Sequence, residues 1–249
     1  MKLLSTVCVA SLGIGLVLPA FAADMPVKAP LKAPPLVALS WTGCYLGGNV
    51  GGGWADKHYT DPLALPPAFD LGSHTAEGVI GGGQVGCDYQ AGPWVFGAQG
   101  KFDWANLQAS HLALGDFYET RIRSYETATG RIGYAFQSNF LLYVKGGGAW
   151  ISEREIKTDL ATGLVEGLAK VNRSGWTVGG GAEYLFAPNW SVFAEVNYMD
   201  FGTRRTNFTN LEVPPIPPTF PLDIRQRVTA VMAGINFRFS GLGPLAASY

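Results

Sequence analysis

WVFGAQGKFDW, residues 94–104, alternates without a break. Trp94, Phe96, Ala98, Gly100, Phe102 and Trp104 fall on one side of an extended chain, and Val95, Gly97, Gln99, Lys101 and Asp103 on the other. Successive side chains of a strand point to opposite faces, so this is a strand with one apolar face and one small, polar face. The parity recurs in 175–186, where Trp176, Val178, Gly180, Ala182, Tyr184 and Phe186 oppose Thr177, Gly179, Gly181 and Glu183. It recurs again in 190–201, and in 231–239, where Val231, Ala233, Ile235, Phe237 and Phe239 oppose Met232, Gly234, Asn236 and Arg238.

Eight such stretches can be marked, at about 43–54, 76–89, 94–104, 122–136, 140–151, 174–186, 190–201 and 226–239. Each has roughly the 9–11 residues that a tilted membrane strand needs. Ala91-Gly92-Pro93, Gln137-Ser138-Asn139 and Ala187-Pro188-Asn189 carry turn chemistry. The other connections, 55–75, 105–121, 152–173 and 202–225, are expected as long loops. Short turns on one side and long loops on the other is the layout of an outer-membrane barrel. The expected fold is therefore all-β, an eight-stranded antiparallel up-and-down transmembrane β-barrel.

Composition agrees. Gly numbers 33 and charged residues make up 15%, which suits many short strands. A net charge of −1 argues for neither nucleic acid nor an anionic surface as partner, and no nucleic acid is expected. Residues 1–22 read as a cleavable secretory signal: Lys2, an apolar run from Val7 to Leu18, then Ala20-Phe21-Ala22. That run is too short to cross ~30 Å of hydrocarbon as a helix, and Cys8 lies within it, away from the cleavage site. Residues 23–40 are a Pro-rich periplasmic lead-in, 41–239 the barrel and 240–249 a C-terminal tail.

Parity alone does not say which face is inside. Two features do. The polar face is small, as a narrow lumen requires. The tryptophans Trp41, Trp54, Trp94, Trp104, Trp150, Trp176 and Trp190 fall near the ends of the marked stretches, as interfacial girdles would. The polar face then carries Lys101, Arg131, Lys145 and Arg238 against Asp88, Asp103, Glu183 and Glu195. Unpaired charge is costly in a confined interior, so these eight are expected to form an ion-pair network that fills the lumen.

The segments WTGCYLGGN (41–49), IGGGQVG (80–86), GRIGYAF (130–136), WTVGGGAEY (176–184), APNWS (187–191), AEVNY (194–198) and GINFRF (234–239) resemble the small alphaproteobacterial porin-like family of outer-membrane immunogenic proteins, whose barrel is similar to the transmembrane domain of OmpA. The resemblance covers nearly all of the chain after the signal. It implies the cell outer membrane, with outer-membrane lipid and lipopolysaccharide around the barrel and periplasmic chaperones and the barrel-assembly machinery as partners in biogenesis. It carries no catalytic residues. It makes Phe237 and Phe239 the candidate assembly signal, although residues 240–249 follow where family members usually end on the aromatic.

Cys44 shares parity with Leu46, Val50 and Trp54, and Cys87 with Val79, Val85 and Tyr89. Both thiols thus point outward at one end of a hairpin, as a disulfide formed in the oxidising periplasm or as two small apolar groups facing lipid. The glycine runs 51–53, 81–83, 146–148 and 179–181 lack the Lys-Ser/Thr and helix of a phosphate loop. His58, His74 and His111 fall in or beside the expected loops and do not converge with a Ser, Cys or carboxylate at recognisable spacing. No catalytic set, cofactor site or metal site is expected. The leading expectation is a structural envelope barrel displaying long loops. The alternatives are a small porin passing ions or solutes, and a surface recognition or adhesin protein whose host or cell-wall partner the sequence does not specify.

Overall fold

In the computed structural model, residues 39–63, 69–113, 116–159, 163, 165–210 and 219–239 are described. The expected signal, nearly all of the lead-in and the C-terminal tail lie outside them. Alternating stretches form eight strands: β1 (Gly43–Asp61), β2 (Phe69–Ala91), β3 (Trp94–Ala113), β4 (Asp116–Phe136), β5 (Phe140–Asp159), β6 (Val165–Ala187), β7 (Trp190–Asn210) and β8 (Thr219–Phe239). Each pairs antiparallel with its sequence neighbours, and β1 pairs with β8 to close the barrel. Closure leaves no edge strand unpaired.

The strand lengths correct the sequence reading. The expected spans are the lower halves of strands of 19 to 23 residues. Most of 55–75, 105–121, 152–173 and 202–225, expected as loops, continues the ladder: Trp54 pairs with Glu77, and pairing runs on to Asp61 with Phe69. The signal fails there because the outward residues turn polar, so apolar/polar alternation disappears while the backbone stays extended. At ~3.3 Å per residue and a tilt near 40°, strands of this length build a wall roughly 50 Å tall.

The tight turns hold. Between β4 and β5, where Phe136 pairs with Phe140 across three residues, Gln137 (φ 49°) and Ser138 (φ 63°) both adopt the left-handed conformation, as in the hairpin turns whose twist matches the strands. Cys44 pairs directly with Cys87 across β1 and β2, and the two sulfurs are bonded.

The tryptophans need one correction and one adjustment. Trp41 precedes β1 and is fully buried inside the barrel mouth, so it is not on the outer surface. The other six are exposed on the outside. Trp94 and Trp190 open β3 and β7 at the tight-turn end. Trp54, Trp104, Trp150 and Trp176 stand mid-strand rather than at strand ends, with seven or more residues of wall beyond each.

Candidate functional site in the barrel interior

The inward faces stack into layers, counted here from the tight-turn end. Trp41, Val95, Ala135, Leu141, Tyr143 and Leu185 form an apolar floor, with Leu39 packed against it. Above lies a four-residue ion cluster. Arg131 donates from Nε to Asp88 Oδ1 at 2.8 Å and from Nη1 to Glu183 Oε2 at 2.9 Å. Arg238 Nη1 reaches Glu183 Oε1 at 3.1 Å, and its Nη2 donates to Asp88. Ser191 and Asn236 also donate to Glu183, at 2.6 and 2.9 Å. The Arg131 guanidinium lies over the Tyr45 and Tyr143 rings, and that of Arg238 over Trp41, which gives that tryptophan an interior role.

Space for Arg131 and for Glu195 comes from glycine. A Cβ at Gly97 would strike Asp88 Oδ1 and sit 3.2 Å from Arg131 Cγ; one at Gly181 would sit 2.8 Å from Glu195 Cβ. Next, Glu195 accepts from Lys101, from Lys145 at 2.9 Å, from Tyr143 at 2.9 Å and from Asn197 at 3.0 Å. Glu183 and Glu195 are thus each saturated by cations and neutral donors. Asp103 stands apart: it is fully buried beside Asn49 and Tyr125, makes no ion pair among the described residues, and neither carboxylate oxygen has a hydrogen bond of normal geometry.

A thick apolar layer follows, built by Ile80, Leu107, Ile122, Tyr125, Ile151, Met199, Phe201, Val228 and Met232 with small alanines. Beyond it is a second polar cluster that the sequence reading missed. Lys57 Nζ donates to Glu153 Oε2 at 2.7 Å and to Glu155. Arg173 lies 3.0 Å from Glu153 and donates to the Ile224 carbonyl at 2.8 Å. Thr120 and Tyr59 donate to Glu155 at 2.7 and 3.0 Å. These residues fell in segments expected as loops, and only their inward parity, continued from the lower strands, would have found them. Tyr59, Leu71, Ala169, Phe208, Leu222 and Ile224 close the top as an apolar cap.

His58 and His74 do not converge. His58 lies 3.6 Å from Asp70 on the outer surface, while His74 stacks on Tyr59 and contacts Thr120 Oγ1 at 3.2 Å; the His111 side chain lies outside the described residues. Among the described residues, no group of three or more His, Cys, Asp or Glu is placed to hold a metal.

The model of the outer membrane protein beta-barrel domain matches residues 17–239. The chain belongs to this family. The 31 kDa outer-membrane immunogenic protein of Brucella melitensis is 28% identical over 256 residues, spanning 95% of this chain and all of its own length. The 25 kDa outer-membrane immunogenic protein of Brucella ovis is 29% identical over 192 residues, 74% of this chain and 83% of that one. Among solved structures, Neisserial surface protein A aligns over 80% of this chain and 98% of its own, with 14% identity and a TM-score of 0.39. The protein is an outer-membrane β-barrel, and both of these Brucella relatives are named outer-membrane immunogenic proteins.

Proposed function

We propose that this barrel is a structural, non-catalytic element of the outer membrane with a closed lumen, its tight turns in the periplasm and its upper wall outside the cell. The observation that carries this is the alternation of apolar and ion-paired layers along the interior. An ion crossing it would have to shed water in the apolar layers and break saturated pairs in the others, and both are costly.

The outer surface supports the placement. From Trp94 to Trp104, and from Phe140 to Trp150, ten residue steps separate the lower aromatics from the upper ones. At ~3.3 Å per step and a tilt near 40° this is about 25 Å, the height of the apolar band of outer-membrane barrels. We read Trp94 and Trp190, with Tyr134, Tyr184 and Phe237, as the lower girdle, and Trp54, Trp104, Trp150 and Trp176 as the upper one. What the protein displays above the membrane is then strand wall more than loop. Phe237 and Phe239 close β8 at the lower rim, where Phe237 meets both Phe239 and Trp190 edge-to-face. They are the proposed signal to the barrel-assembly machinery, reached through periplasmic chaperones. Full-length protein in liposomes should leave swelling in isotonic arabinose at the protein-free rate; rapid swelling would refute the closed lumen.

A further inference from the structure

Just above Trp150 the outer face of β4, β5 and β6 forms a grid in direct register. Glu126, Trp150 and Ser174 make its lowest row, and Ser124, Ser152 and Asn172 the next. Arg121, Arg154 and Lys170 make the third. All nine side chains lie on the outward face. Residues opposite one another across strands have Cβ atoms ~4.5–5.5 Å apart, and like charges there destabilise a sheet. Arg121 is partly relieved by Glu119, at 2.6 Å. Arg154 and Lys170 make no ion pair or side-chain hydrogen bond among the described residues. Three cations abreast, two of them without a counter-charge, form a site for a multivalent anion.

The rows below say what the anion is attached to. Ser124, Ser152, Asn172 and Ser174, with Trp150 and with Glu126 at the lower edge, line an open cleft of about 620 Å³, rich in hydroxyl and amide groups. Below Trp150, β5 presents Val144 and Leu142 outward, continuous with the lipid-facing band. Apolar surface, an aromatic edge, a hydroxyl shelf and a cation row therefore follow in order up one side of the barrel. The row stands four residue steps above Trp150, or about 10 Å along the axis, within the headgroup zone. Glu126, the one acid of the nine, sits in the row farthest from the cations.

We propose that this face binds the phosphorylated sugar headgroup of an outer-leaflet glycolipid, with phosphate on Arg154 and Lys170, sugar on the Ser124–Ser152–Asn172 row, and acyl chains against the band below Trp150. The source of the ligand rests on the membrane orientation proposed above; the cation row does not. The test uses the full chain folded in detergent, titrated with a bis-phosphorylated acylated disaccharide, the same lipid dephosphorylated, and soluble pyrophosphate. Arg154→Gln/Lys170→Gln should weaken the phosphorylated lipid about tenfold or more, and Arg225→Gln, outward on β8 two strands beyond β6, should leave it unchanged. The double variant loses only a repulsion, so it should keep the heat-resistant fold seen as a fast-migrating band on unboiled gels. Equal binding by variant and wild type, or by the dephosphorylated lipid, would overturn the site. Pyrophosphate binding as tightly as the lipid would overturn the lipid assignment. Orientation is read separately, by labelling an Arg205→Cys variant from outside intact cells: labelling supports it, and labelling only after lysis sinks it without touching the detergent result.

Discussion

Replacing Glu183 by Gln tests the lower ion cluster at its hub. Glu183 is 1% exposed and accepts from Arg131, Arg238, Ser191 and Asn236. After Glu183→Gln, two buried guanidiniums share the single carboxylate of Asp88, leaving one positive charge uncompensated in a space without solvent. Removing one partner of a buried ion pair costs about 3–5 kcal/mol. The remaining bonds to Asp88 and the stacking on Tyr45 place the expected loss toward the lower end of that range. The assay is urea unfolding of the full chain in lipid vesicles, followed by tryptophan fluorescence, with the midpoint compared at equal m-value. A companion variant, Asp88→Leu/Arg131→Met/Glu183→Leu/Arg238→Met, should recover most or all of the loss, since apolar groups of similar volume replace buried pairs at little net cost. A loss below about 1 kcal/mol for Glu183→Gln alone would refute the view that this cluster is dry and mutually dependent.

Reduction of the Cys44–Cys87 bond, which spans 43 residues, should lower the unfolding free energy by roughly 2–4 kcal/mol in the chain-entropy account, and peptide mapping without reductant should recover the two cysteines linked. At the β4–β5 turn, Gln137→Asn/Ser138→Gly should stabilise the barrel by about 1–2 kcal/mol in the same titration, because both positions are left-handed and Asn-Gly accepts that conformation readily. On the upper wall, hydrogen bonding from Arg205 holds the Asp223 carboxyl below the usual carboxylate range. A lowered folded-state value means the pair contributes above the unfolded pKa and is lost as pH falls through the folded one. Arg205→Gln should therefore raise the Asp223 titration point by NMR, with little change in global stability because the pair is exposed.

The lower barrel was legible because its signal is local. In residues 94–104 every second side chain is apolar and the rest are small or polar, so strand, face and lumen follow from period alone. Inward parity also collected Asp88, Arg131, Glu183 and Arg238 without saying who pairs with whom, since β2, β4, β6 and β8 meet only after closure. The upper barrel was illegible for a physical reason. Above Trp150 the outward residues Ser152 and Arg154 are polar, and the inward Glu153 and Glu155 are charged, so both faces read as loop. Trp41 misled in the opposite sense: an aromatic near a strand start suits a girdle, but its ring packs into the apolar floor beneath the Arg238 guanidinium.

Single-channel recording on the purified full chain in a planar bilayer tests the closed lumen most directly. The layered interior predicts a baseline indistinguishable from the protein-free membrane across the usual voltage range. Sustained, protein-dependent conductance steps of porin size would contradict it.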